Sequence, residues 1–441
     1  MTSSDRVRLL DPETLRRRWR GSLAIFFVFM LLHQTDRYLI SPLTTPIMEA
    51  FHINEAQMGA VQTGAIVVGA IFFPLWGYLY DRYARPRVLA AASLVWGATT
   101  WLAAVVPLFP QFVAARASTG IDDASYPGIY SMVSDLFGPE RRGRAIASLQ
   151  LAAPLSFLVA TGLAYTLRDV IGWRGVFLVT GALGVLMAGV IWFRLRDVPR
   201  GASEPSLRDL AEIGIYRFSW ATARGLLRKP TLFLLFVQQF IHLFPIQAIT
   251  FWFFRYLEVE RGMSGLMIGL NSGLFVIIGM AGYLSAGALG DWASRRTPRG
   301  RLLVGGFGIL AGGGLLIGAL NVPVGQDVLF TVVMAGTALL MNYAHPNTVT
   351  TIQDVTEPEV RSTAHAILGI AEQSGSALAP LLVGIIAVGN TLRYGMTVVC
   401  GLGFMLSSVL LLATSLVVKK DVLRMRSEMA ERAAAASSTP A

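Results

Sequence analysis

Gly77-Tyr78-Leu79-Tyr80-Asp81-Arg82-Tyr83-Ala84-Arg85-Pro86-Arg87 joins two long apolar runs, and a related stretch returns later as Gly287-x-x-x-Asp291-x-x-x-Arg295-Arg296. A second motif behaves the same way. Asp135-x-x-x-Pro139-Glu140-x-Arg142-x-x-Ala145 is echoed by Asp354-x-x-x-Pro358-Glu359-x-Arg361-x-x-Ala364. The two motifs recur in the same order, at offsets of 210 and 219 residues. Chance explains two such agreements poorly. A tandem repeat of this kind implies two helix bundles related by an axis along the membrane normal.

Composition places those bundles in lipid. The chain is 54% hydrophobic and 15% charged, with mean hydropathy +0.56. A soluble chain carries charge on about a quarter of its residues. Apolar runs of about 20 residues are the signature of membrane helices, because lipid forces backbone hydrogen bonds to close within each segment. The alternation of an outer-membrane barrel is absent. We therefore expect an all-α membrane protein with twelve transmembrane helices in two six-helix bundles. The spans fall at about 22–49, 57–80, 87–107, 110–137, 143–167, 174–194, 231–257, 264–290, 302–321, 326–353, 362–388 and 394–418. The first does not read as a cleavable signal, since it follows a basic segment and carries a charge pair. The single Cys400 lies in an apolar run and reads as a core residue.

Net charge of +10 would suit nucleic acid, but its distribution does not. Arg16–Arg18 and Arg20 precede span 1, and Arg82, Arg85 and Arg87 follow span 2. Arg141, Arg142 and Arg144 follow span 4, Arg295, Arg296, Arg299 and Arg301 follow span 8, and Lys419 and Lys420 follow span 12. The opposite loops hold few: Arg168, Arg174, Arg255, Arg261 and Arg393. This is the positive-inside pattern, with both termini cytoplasmic. Residues 1–21 form a cytoplasmic segment, 22–195 the first bundle and 231–418 the second. The connector 196–230 alternates Leu207, Leu210, Ile213 and Leu226 with Arg208, Asp209, Glu212 and Arg224, the pattern of an amphipathic surface helix. The tail, 419–441, ends in a small, polar stretch from Ala433 that reads as disordered. A basic-flanked chain without organelle signals points to a bacterial-type plasma membrane.

Charge inside the spans locates the candidate chemistry. Asp36 and Arg37 lie in span 1, and Arg116, Asp122 and Asp123 in span 4. Such charges cost roughly 2.5–3.5 kcal/mol each on insertion scales and usually face a water-filled path. On one continuous helix, Arg116, Gly120, Asp123 and Pro127 fall within about 40° of one line, and Asp122 points roughly 120° away. Asp36, Asp122 and Asp123 are the candidates for carrying protons. Desolvation and a nearby arginine act on a carboxylate in opposite senses, so opening to one side can load or release a proton. Candidates for substrate contact are Arg37, Arg116, His33 and Gln34 in the first half. In the second half they are Gln238, His242, Asn342, His345 and Glu372, with Gln239, Asn271, Asn347 and Gln373 beside them. Phe72, Trp76, Trp101 and Trp252 read as packing or lipid-facing residues.

Other chemistries find no support. Gly312-Gly313-Gly314 lies in an apolar span and lacks the Gly-Lys-Ser/Thr of a phosphate loop. Neither a Walker motif, a Gly-x-Ser-x-Gly elbow nor a histidine-carboxylate spacing for a metal is found. No cofactor, metal or enzyme activity is expected. A transport-inactive sensor or scaffold, and a lipid-modifying enzyme, stand as the readings from other classes.

Gly-x-x-x-Asp-Arg-x-x-Arg-x-Arg between spans 2 and 3 resembles the most specific signature of the major facilitator superfamily, and the resemblance covers nearly the whole chain. It implies the major facilitator fold, alternating access and sufficiency as a monomer. The motif residues Gly77, Asp81, Arg82, Arg85, Asp135 and Arg142 then read as a gate latch, with Asp291, Arg295, Asp354 and Arg361 as its second copy. Arginines there can pair with carboxylates or lipid phosphates.

Within the superfamily the chain is similar to the Spinster family of lipid transporters. Asp36-Arg37 matches its span 1. Arg116-Ala-Ser-Thr-Gly120-Ile-Asp122-Asp123-Ala124-Ser125-Tyr126 is similar to its Arg-x-x-x-Gly-x-Gly-Glu-Ala-Ser-Tyr, and Arg361-Ser362-Thr363-Ala364 matches a further stretch. Two positions depart: Asp122 stands for a glycine and Asp123 for a glutamate. The resemblance implies a proton-coupled transporter of a lysophospholipid or sphingoid-type amphiphile. Organic-anion and sugar-acid branches share the span 1 and span 4 charges, so small carboxylates remain the alternative cargo. The expected partners are membrane lipids, protons and a small amphiphilic or anionic substrate.

Overall fold

The computed structural model describes residues 12–123, 125–137, 139–197, 220–357 and 360–437. Helices joined by short turns account for them, with no strand among the described residues. In chain order the first eight are α1 (Pro12–Leu39), α2 (Thr44–Phe51), α3 (Glu55–Arg82), α4 (Arg85–Val105), α5 (Phe109–Asp123), α6 (Pro127–Leu136), α7 (Pro139–Gln150) and α8 (Ala152–Arg194). Then come α9 (Trp220–Leu227), α10 (Pro230–Arg255), a π-helical turn (Tyr256–Glu260), α11 (Gly265–Arg296) and α12 (Gly300–Leu320). The last are α13 (Asp327–Leu340), α14 (Ala344–Asp354), α15 (Arg361–Val388) and α16 (Leu392–Ser437).

Proline opens several of these helices. It sits in the first turn of α4, α6 and α10, where its missing N–H would be unpaired anyway. Nine helical stretches among the described residues are long and apolar enough to cross a membrane, or ten if the bent pair α1 and α2 is one span. α8 has 43 residues, roughly 65 Å at 1.5 Å each, about twice a bilayer core. It is interrupted at Gly172, whose φ of 71° lies in the left-handed region open to glycine. That break separates the two expected spans 143–167 and 174–194, so the elements are consistent with twelve crossings.

Two features differ from the sequence reading. Span 4 is not one helix: α5 stops at Asp123 and α6 restarts at Pro127. Pro127 cannot donate to a preceding turn and disfavours helix before it. The line through Arg116, Gly120 and Asp123 therefore does not extend to Pro127. The tail is helical further than expected, since α16 runs to Ser437. Ala433–Ala436 are the strongest helix formers available and extend it. The connector residues 198–219, with Leu207, Leu210 and Ile213, lie outside the described residues, as do 438–441.

Contacts divide the chain into two units. The first holds the described residues up to His52 and from Gly64 through α8. The second holds α9 to α16 together with Ile53–Thr63, the start of α3. That short segment had been expected in the first bundle. It packs into the second unit because Thr63 donates to the Ala377 carbonyl at 2.6 Å and Glu55 pairs with Arg255 at 2.9 Å.

In the first unit α8 packs on α4 and α1, and α4 on α5. Phe26, Phe29, Leu89, Trp96, Ile129 and Leu149 fill its core. In the second, α10 packs on α15 and α16, and α12 on α16 and α13. Ile71, Val170, Phe193, Leu266, Leu284 and Val328 point outward, which is stable only where the surroundings are apolar. Gly120 is pressed against α3: a Cβ there would lie 2.1 Å from the Ala65 carbonyl oxygen and 2.7 Å from the Gly69 nitrogen. Gly120→Ala is expected to cost about 1–3 kcal/mol through overpacking, measured as a lowered thermal midpoint in detergent. An unchanged midpoint would mean that α3 and α5 are not held this close.

Candidate functional site

One turn of α1 carries His33, Asp36 and Arg37, and the end of α5 carries Asp122 and Asp123. Packing of α4 and α8 around them makes one buried polar cluster in the first unit. His33 Nε2 lies 2.9 Å from Asp122 Oδ2 and 3.9 Å from Asp123 Oδ1. Phe29 stacks on the imidazole at 5.4 Å and Trp96 meets it edge-on at 5.4 Å, which restricts the ring to one pose. Arg37 Nε is 3.8 Å from Asp123 Oδ2. Asp36 does not pair with its neighbour Arg37. Its two oxygens accept hydrogen bonds from Thr100 at 2.9 Å and Thr180 at 2.5 Å. Thr99 reaches Asp122 Oδ1 at 3.4 Å. Gln34 is half-buried on the same helix.

The two adjacent aspartates differ in access. Asp122 is buried to 1% exposure, whereas 19% of the Asp123 side chain is exposed. The break after α5 lets both carboxylates serve the cluster from consecutive positions. His33, Asp122 and Asp123 offer atoms all within 4.8 Å of one another. Arg37 already brings positive charge to Asp123, which leaves the grouping less negative than its carboxylates alone would make it.

Arg116, about two turns before Asp123, is the exception in this well-paired region. It is 3% exposed, its guanidinium lies 5.2 Å from the Phe177 ring, and Nε and Nη1 have no hydrogen-bond partner among the described residues. It is not brought to Asp123 by any ion pair. Buried guanidinium donors without an acceptor are costly.

The second unit groups its polar residues without an arginine. Gln239 donates to Glu372 at 2.9 Å, and His345 Nε2 lies 3.2 Å from the same carboxylate. Gln238 is spent on Ser407 at 2.8 Å and Thr348 at 3.2 Å. His242 is buried beside Phe404, and its Nδ1 has no partner among the described residues. Asn342 ties α14's approach to α11 through the Gly279 carbonyl at 3.4 Å. Glu372, His345 and Gln239 thus form one group, while Gln238, His242 and Asn342 share no hydrogen bond with it among the described residues.

The repeated motifs meet at helix ends. Arg85, 2% exposed, bridges Asp135 and Asp197, and it also donates to Ser131 at 3.0 Å. In the second unit Arg301 bridges Asp291 at 2.8 Å and Asp354. Arg301 opens α12 as Arg85 opens α4, so it, and not Arg295, is the structural counterpart of Arg85. Arg295 and Arg361 are exposed. Arg82 donates to the Tyr78 hydroxyl at 2.6 Å, and Arg142 to the Ser134 carbonyl at 3.0 Å. Gly77 makes no close approach to another helix, and the Asp81 side chain lies outside the described ones. Sequence reasoning missed Asp197 and Arg301. Asp197 sat at the edge of the connector, and the six-residue shift of Arg301 from Arg295 hid the symmetry.

A family model described as Major Facilitator Superfamily matches residues 26–380. The chain belongs to the Major Facilitator Superfamily. As a member it is a multi-pass membrane transporter and not an enzyme. It is 29% identical over 388 residues to protein spinster of Drosophila melanogaster, covering 84% of this chain and 62% of the fly protein, less than two thirds of that relative. It is 26% identical over 382 residues to an MFS-type efflux pump of Mycolicibacterium smegmatis, covering 86% of each. The crystal structure of a bacterial homologue of the human lysosomal transporter Spinster superposes with TM-score 0.79 at 18% identity, over 92% of this chain and 98% of that one. This superfamily member is therefore similar to Spinster proteins in sequence and in fold.

Proposed function

We propose that this transporter is a proton-coupled secondary carrier working by alternating access, and that its cargo is a lysophospholipid or sphingoid-type amphiphile. The observation that carries the reading is the polar cluster of the first unit. It sets the buried carboxylates of Asp36 and Asp122, and half-buried Asp123, about Arg37, while Arg116 on the same helix as Asp122 keeps Nε and Nη1 without an acceptor among the described residues. Buried carboxylates with alternative partners can exchange protons as access changes. A guanidinium without an acceptor suits an anionic headgroup. The Spinster-like motifs favour an amphiphile over a small carboxylate. The Arg85 and Arg301 networks lie at the arginine-rich ends, which we read as the cytoplasmic side of a plasma membrane, with both termini there. We read them as latches.

The test is uptake into proteoliposomes under an imposed pH gradient, with lysophospholipids, sphingoid bases and small carboxylates supplied in turn. Asp36→Asn and Asp123→Asn are expected to lose at least about tenfold of gradient-driven uptake, the range of one general proton-transfer group or more. Uptake of carboxylates alone would move the cargo to the organic-anion branch. Gradient-driven uptake that survives both substitutions would remove proton coupling through these residues.

A further inference from the structure

We propose that His33 is a proton carrier that connects two aspartates of unequal access, with Asp123 as the port and Asp122 as the buried store. This rests on the proton-coupled reading and extends it to a pair outside the Spinster-like pattern, where the position of Asp122 is a glycine.

Geometry leads to this. One ring atom, Nε2, faces both carboxylates, at 2.9 Å and 3.9 Å. Phe29 and Trp96 hold the ring between them, so about 1 Å of approach is enough to exchange one hydrogen-bond partner for the other. Asp122 is closed off at 1% exposure, and Asp123 keeps 19% of its side chain exposed. Protons entering from water reach Asp123 first.

The charges around His33 come from two helices. α1 supplies Asp36 and Arg37, and α5 supplies Asp122, Asp123 and, about two turns earlier, Arg116. α4 and α8 face the cluster with the neutral groups Trp96, Thr99, Thr100 and Thr180. Within the cluster three carboxylates stand with the single guanidinium of Arg37, which pairs with Asp123, so a proton on His33 adds positive charge where carboxylates are in excess. Each transfer between His33 and an aspartate leaves the cluster's total charge unchanged, and a proton taken up from water at Asp123 raises it by one. The imidazolium gives its Nε2 proton to Asp122, leaving neutral imidazole and a carboxylic acid. Nε2 then takes a proton from protonated Asp123, which restores the imidazolium and leaves Asp123 a carboxylate. Reversal of the two steps empties the store.

The experiment is histidine-selective ¹⁵N NMR of the full chain in lipid nanodiscs, from about pH 5 to about pH 9, the window in which histidine charge changes. The chain has five histidines, and His33→Gln assigns the resonance. His33 is expected to move between imidazolium and imidazole signatures, with a midpoint displaced in Asp122→Asn and again in Asp123→Asn. A single tautomer throughout, or a titration indifferent to Asp123→Asn, overturns the relay. Asp122→Asn keeps an acceptor for His33 and guards against misfolding of the His33 variant. The two readings fail separately. A His33 that responds to both aspartates while uptake ignores Asp123→Asn sinks the coupling reading. A silent His33 in a protein whose uptake needs Asp123 sinks only the relay.

Discussion

If the cargo carries the proposed anionic headgroup, Arg116→Gln is expected to weaken its binding by at least about thirtyfold while leaving the protein as stable as its parent, or more so. The two effects have opposite signs because of what Arg116 does in the fold. Its guanidinium is buried at 3% exposure, with Nε and Nη1 unpaired. Removing a buried charge that has no partner relieves desolvation cost. The same charge, once paired with a desolvated anion, is worth about 2–5 kcal/mol, and about 2 kcal/mol is thirtyfold in affinity. Tryptophan-fluorescence titration with the transported compound and a thermal melt in detergent read both quantities. A lower melting temperature with unchanged affinity would make Arg116 a structural residue and remove it from the substrate site.

Arg85→Ala is expected to be among the most destabilising single changes at the helix ends, by about 3–5 kcal/mol, because it leaves carboxylates without their buried cation. The upper end is discounted, since Asp197 is 39% exposed and water screens it. Arg301→Ala makes the control from the second copy. Its side chain is 18% exposed, and Asp291 and Asp354 are 61% and 37% exposed, so the loss there should be about 1 kcal/mol or less. Thermal unfolding of the two variants side by side measures the difference. Equal losses would mean that burial does not distinguish the two networks.

Much of this architecture was legible before any coordinates. Apolar runs located the helices because lipid leaves the backbone no other way to pair its polar groups, and the repeated Asp135 and Asp354 motifs marked equivalent ends of the two halves. The break at Asp123 was signalled by Pro127, but the helical line through Arg116 obscured it. The pairing inside the cluster was not legible. His33 and Asp122 are 89 residues apart, and no spacing rule joins them. Asp36 and Arg37 are adjacent, and α1 points them at different neighbours, hydroxyls for Asp36 and Asp123 for Arg37. Adjacent residues on a helix diverge by about 100°, so adjacency in sequence does not give their partners. The lack of an acceptor for Nε and Nη1 of Arg116 among the described residues is likewise a property of packing alone.

Internal pH recorded in proteoliposomes at zero imposed gradient, as lysophospholipid is added, tests the central claim most directly. Proton movement should follow addition of the lysolipid in the wild type and disappear in Asp123→Asn. Lysolipid flux with no change of internal pH in the wild type would contradict it.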